Sequence, residues 1–133
     1  MSTNKMMQAY KSSDREAVAE SNDPLEIVVL IFDELVRNMQ EFVRQSQSEA
    51  PNAEARSKHF SRALTLIYAL QSSLNFEQGG DIANNLFRLY EFTRQQMMQD
   101  WKGNTVERTE KAIAVIDDIR DAWHQISRKG VAE

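Results

Sequence analysis

The chain has 133 residues, with sixteen Lys and Arg against twenty Asp and Glu, for a net charge of −4 at pH 7. It contains no Cys, which excludes disulfides and thiolate metal sites and suits a reducing cytoplasm. No stretch approaches the roughly 20 apolar residues of a membrane span, MSTNKMMQAYKSS lacks a secretory apolar run, and Lys and Arg form no basic stripe for nucleic acid.

A chain of this length makes one domain that buries roughly two-thirds of its unfolded surface. Residues 1–22 are polar and without a stripe, yet hold Met6, Met7 and Tyr10. They read as a mobile tail ahead of a helical domain over 23–133. Asp23-Pro24-Leu25-Glu26 predicts a helix start, with Asp as N-cap, Pro in the first turn and an acid at the third position. Leu25, Val28, Phe32, Leu35, Met39 and Phe42 then repeat at helical spacing as far as the polar run Gln45–Glu49.

A second helix is expected to start between Pro51 and Ala53, burying Phe60, Ala63, Leu64, Ile67, Leu70 and Leu74, and to stop at Gly79-Gly80. Asp81 would cap a third, carrying Ile82, Leu86, Leu89, Tyr90, Thr93 and Met97. Lys102–Thr105 marks the next break, with Asn104 and Glu107 placed as a capping pair for a fourth helix. That helix carries Thr109, Ala112, Ile116, Ile119, Trp123 and Ile126. Four helices of about 20 residues joined by short turns predict an all-α, antiparallel up-down four-helix bundle, preceded by a flexible N-terminal segment.

Apolar residues exceed what these stripes need. At about 100° per residue, Leu30 falls nearly opposite the first helix's core sector, with Ile27 and Ile31 to one side. Leu66 and Tyr68 flank the second stripe; Phe87, Met98 and Trp101 lie at the margin of the third, and Phe92 beyond its other edge. Any one such residue is ordinary surface. Several clustered among acids and amides predict a surface for an amphipathic partner helix.

Catalytic constellations are weak. Asp121-Ala-Trp-His124 is a single acid–His pair where a di-metal bundle needs two, and His59 has no acid three residues before it. His124 with Lys129-Gly130 has the parts of a phosphotransfer site at a different spacing, and Asp117-Asp118 reads as solvated surface. Gly79-Gly80 lacks the Lys and Ser/Thr of a phosphate loop. No enzyme, metal or cofactor is expected.

The order of motifs resembles the flagellin export chaperone family, of FliS type. The resemblance covers nearly the whole chain. It rests on Tyr10, on Pro24 followed by Leu-Glu-Ile-Val-Val-Leu-Ile-Phe-Asp33, on Gly79-Gly80-Asp-Ile-Ala83 running into Asn85-Leu-Phe-Arg-Leu-Tyr90, and on Ile119-Arg-Asp-Ala-Trp123. Where the family commonly has Leu-Tyr-Asp-Gly, this chain has Ile31-Phe32-Asp33-Glu34. The resemblance implies a cytoplasmic, non-enzymatic helical bundle that binds the disordered C-terminal segment of flagellin. Other flagellar export or regulatory proteins are further partners to expect, and a monomer or weak homodimer is the expected state. It also implies that the N-terminal segment, through Tyr10, folds over part of the apolar surface in the free chaperone. The partner-facing set expected is Ile27, Leu30 and Ile31 on the first helix, Leu66 and Tyr68 on the second, and Phe87, Tyr90, Met98 and Trp101 on the third. The alternative is a regulatory adaptor that uses the same bundle to bind another protein without chaperoning it.

Overall fold

The computed structural model describes residues 24–50 and 52–132, the last four as backbone only. Four helices follow in order: α1 Pro24–Gln47, α2 Ala53–Ser72, α3 Phe76–Gly103 and α4 Glu107–Ala132. No strand occurs among the described residues. Helix α1 packs on α2 and α4, and α3 completes the ring against α2 and α4. Phe42 late in α1 meets Phe60 early in α2, which stacks on Trp101 late in α3. Successive helices therefore run in opposite directions, and the expected up-down bundle is what forms. Leu35, Met39, Ile67, Met97 and Ile116 are fully enclosed at its centre.

Helix α1 departs from the one-stripe reading. Leu30, expected opposite the core, is only 3% exposed and belongs to the same buried cluster as Leu35 and Met39. Glu34 and Asn38, one and two turns further along the same side, are buried as well. Between residues 30 and 44 only Arg37, Gln40 and Arg44 are exposed. Over this span the helix is enclosed around most of its circumference, and Leu30 and Ile31 pack into the core cluster.

The helix ends follow local hydrogen bonding. Asn52 caps α2, its Oδ1 accepting the Ala55 N–H at 3.0 Å. Helix α2 ends at Ser72, short of the expected Gly-Gly stop, and Asn75 opens α3 by accepting the Gln78 N–H at 3.0 Å. Asp81 is thus not the N-cap; Gly80 instead bends α3 with φ 51° and ψ −124°. Asn104, expected to begin α4, closes α3 in the left-handed conformation at φ 54°. The cap of α4 comes from Asp100. Its Oδ2 accepts the Thr109 N–H at 2.6 Å, and its Oδ1 accepts the Thr105 hydroxyl at 2.5 Å. A carboxylate on one helix therefore satisfies an end donor of the next. The expected Asp23 cap lies outside the described residues.

Candidate functional site

The two ends of the bundle differ in chemistry. At the end holding the α1–α2 and α3–α4 turns, Phe42, Phe60 and Trp101 stack, and Arg56 covers the stack. Its guanidinium lies 4.4 Å from the Trp101 ring centroid and 5.1 Å from that of Phe42. The same group donates to the Trp101 carbonyl at 3.3 Å and, through Nε, to Ser46 Oγ at 2.9 Å. One side chain thus joins the ends of α1 and α3 to the start of α2, placing positive charge at the negative end of α3.

The opposite end stays open. A groove of about 350 Å³ enters between the helices, lined by Val28 of α1, Leu70 of α2, Gln78, Gly79, Ile82, Ala83, Leu86 and Tyr90 of α3, and Trp123 of α4. Ser73, Leu74 and Asn75 of the α2–α3 connection complete it. None of these twelve residues is charged. Burial pushes the Tyr90 phenol up to about 12, so it stays neutral across the physiological range. The arrangement suits uncharged apolar side chains. Beside it Phe76 and Phe87 meet edge to face, centroids 6.0 Å apart, and both remain exposed. Ile82, at 71% exposed, stands at the mouth.

Polar ties hold the flanking seams. His124 Nε2 and Arg120 donate to Asp33 Oδ1 at 2.8 and 3.3 Å, fastening α4 to α1. Gln71 of α2 donates to Glu91 of α3 at 3.3 Å. Hydrogen bonds from Arg94 hold the Glu91 carboxyl down at about 2. Among the described residues no cluster of His, Asp or Glu could hold a metal ion.

The residues expected to face a partner are divided by this geometry. Tyr90 lines the groove and Phe87 stands beside it. Tyr68 is exposed on α2; Ile27 and Ile31 are half-buried on α1. Leu30 and Leu66 are core residues, Leu66 being 2% exposed on a helix packed against both α1 and α3. Met98 and Trp101 are half-buried towards the closed end, Trp101 about 16 Å along the helix axis from Tyr90. Tyr10 lies outside the described residues. Stripe reasoning did not single out the lining residues Val28, Leu70, Leu74, Ile82, Leu86 and Trp123 because each falls on the apolar stripe expected to face the core. Their location in the last turns before an open end, next to paired glycines, was the available signal.

The sequence matches the family described as Flagellar protein FliS over residues 6–130. The chain belongs to the FliS family. It is similar to the flagellar secretion chaperone FliS of Vibrio cholerae, 32% identical over 90% of this chain and 87% of the relative. The FliS of Salmonella typhimurium is 29% identical over 92% of this chain and 90% of its own. A third relative, the FliSB of Pseudomonas aeruginosa, is 24% identical over 92% and 96%. Glu34 is buried, its carboxylate paired with Arg37. Asn38 Nδ2 donates to the Glu34 carbonyl at 2.7 Å, which turns Asn38 Oδ1 towards His59 Nδ1 at 2.8 Å. That oxygen can only accept, so the His59 proton sits on Nδ1. Glu34 thus enters a polar chain from α1 to α2 without opening the bundle.

Proposed function

We propose that this chain is a cytoplasmic flagellar secretion chaperone whose client is the disordered C-terminal segment of flagellin, held as short amphipathic helices until export. The observation that carries the reading is an uncharged apolar groove, open at one end of a FliS-family bundle. A disordered client must offset roughly 2–5 kcal/mol of ordering. At about 25 cal/mol per Å² that requires on the order of 200 Å² of apolar surface beyond what any rigid partner needs. Anchors in the groove supply part, and the exposed rings of Phe76, Phe87 and Tyr68 extend the path along α2 and α3. Binding of this kind needs no catalytic group and no cofactor.

Residues 1–22 precede α1 in the chain, and the helix begins at Pro24, one turn before the lining residue Val28. In this proposal they shield the groove when no client is present, competing at an effective concentration on the order of millimolar. Deleting residues 1–12 is expected to tighten client binding and lower the solubility of the free protein. Unchanged affinity and solubility would remove the shielding role. The main reading is tested by calorimetric titration of the full chain with intact flagellin and with flagellin lacking its C-terminal segment. Binding is expected with the first only, with a negative heat-capacity change. Equal binding of both, or of neither, overturns it, and binding of neither leaves a regulatory adaptor for another protein as the successor reading.

A further inference from the structure

Helix α3 is not one straight rod, and its bend coincides with the groove. Gly80 has φ 51° and ψ −124°, outside the helical region, so the first turn points away from the axis of Asp81–Gly103. The length of the fold-back is measurable. Phe76 and Phe87 are eleven residues apart, which in an unbroken helix places them about 16 Å apart along the axis. Their ring centroids are 6.0 Å apart. The turn is therefore doubled back beside the main helix. It is closed on itself by Asn75, whose Oδ1 accepts the Gln78 N–H at 3.0 Å and whose carbonyl accepts the Gly79 N–H at 2.8 Å.

Both limbs of the bend line the groove: Asn75, Gln78 and Gly79 from the turn, Ile82, Ala83, Leu86 and Tyr90 from the main helix. The paired glycines are needed for two separate reasons. A Cβ on Gly80 would meet nothing within 4 Å, so space is no obstacle there; only the positive φ excludes L side chains. A Cβ on Gly79 would lie 2.8 Å from the Ala83 Cβ, so the turn approaches the main helix too closely for any side chain.

We infer that Gly79 and Gly80 are positioning residues for client binding: they set the folded-back turn as a wall of the groove, and through it the shape of anchor the groove accepts. The inference rests on the reading of this groove as the flagellin site. The fully enclosed core side chains Leu35, Met39, Ile67, Met97 and Ile116 include none from the bend itself.

The test uses the full chain and two readouts, affinity for a peptide of the flagellin C-terminal segment and the proton–proton Overhauser contact between the Phe76 and Phe87 rings. Gly80→Ala is expected to bind at least tenfold more weakly and to lose the ring contact, while far-ultraviolet dichroism still reports a folded helical protein. Semisynthetic protein with D-alanine at position 80, whose preferred φ is positive, is expected to keep both. Gly79→Ala should lose both, and Gly79→Ala with Ala83→Gly should regain them. Loss of the ring contact with undiminished affinity overturns the inference, as does an equal loss with L- and D-alanine. If Gly80→Ala does not fold, the D-alanine protein and the Gly79–Ala83 pair decide. Failure of the unaltered chain to bind the peptide removes the flagellin reading and with it the anchor claim; the ring contact then reports only whether the glycines set the wall.

Discussion

Replacing Asp100 with Ala removes the acceptor that joins α3 to the start of α4. The carboxylate is fully enclosed and takes the Thr109 N–H at 2.6 Å and the Thr105 hydroxyl at 2.5 Å. Loss of a helix cap costs about 0.5–2 kcal/mol, and a buried donor left without a partner costs about 1–3 kcal/mol. Thr109 already carries a buried hydroxyl with no partner, so little nearby can compensate. The expected destabilisation is about 2–4 kcal/mol, or roughly 8–15 °C in midpoint for a chain of this size. Asp100→Asn keeps one acceptor oxygen and is expected to cost about half as much. Urea titration followed by circular dichroism measures both, as a lower midpoint concentration at unchanged slope. Client affinity at low denaturant should remain within twofold, because the groove lies at the other end. A loss below about 0.5 kcal/mol for Ala, or equal losses for Ala and Asn, would refute the capping account.

Further expectations concern the same two ends. Arg56→Ala should destabilise by about 1–3 kcal/mol in the same titration, and Arg56→Lys should recover only part, since an ammonium lacks the planar fork that stacks and donates at once. Ile82→Asp should weaken binding of the flagellin segment at least tenfold by calorimetry while shifting stability by less than about 0.5 kcal/mol, because Ile82 is exposed at the groove mouth. Burial lowers the His59 pKa below 6.5 in the folded chain, so the unfolded chain binds the proton more readily. The resulting stability difference is full above pH 6.5 and is lost as pH falls from there through the lower folded value; His59→Gln should flatten stability-against-pH curves below pH 7. Glu91 adds a lower window: its folded pKa of about 2 against 4.5 means stability present above pH 4.5 and lost as pH falls towards 2, a loss Glu91→Gln should abolish.

Helical period and breakers were enough to place four helices, because the core stripes of α2, α3 and α4 are regular and Asn52 is a side-chain cap next to its own helix. What sequence spacing concealed was partnership across elements. Asn104 has the chemistry of either cap, and only the buried Asp100, supplied from the previous helix, leaves it free to end α3. Leu30 read as surplus because a one-stripe pattern presumes one covered face, whereas α1 is covered nearly all round. The groove was harder still. Its lining residues obey the same period as the core, and what distinguishes them is that no described element closes over them. Trp101, an aromatic at a stripe margin, is stacked by Phe60 and covered by Arg56 at the opposite end from the groove, a pairing that helical spacing does not reveal.

The guanidinium stack at one end leaves the other end free to vary. Because Arg56 and Asp100 fasten the helices far from the mouth, substitutions at the exposed Ile82 or Phe87 would, under the proposed function, retune which hydrophobic sequence is held without loosening the scaffold. On that proposal, a lineage whose filament protein drifts would follow it by changing a few mouth residues, one at a time, on an unchanged frame.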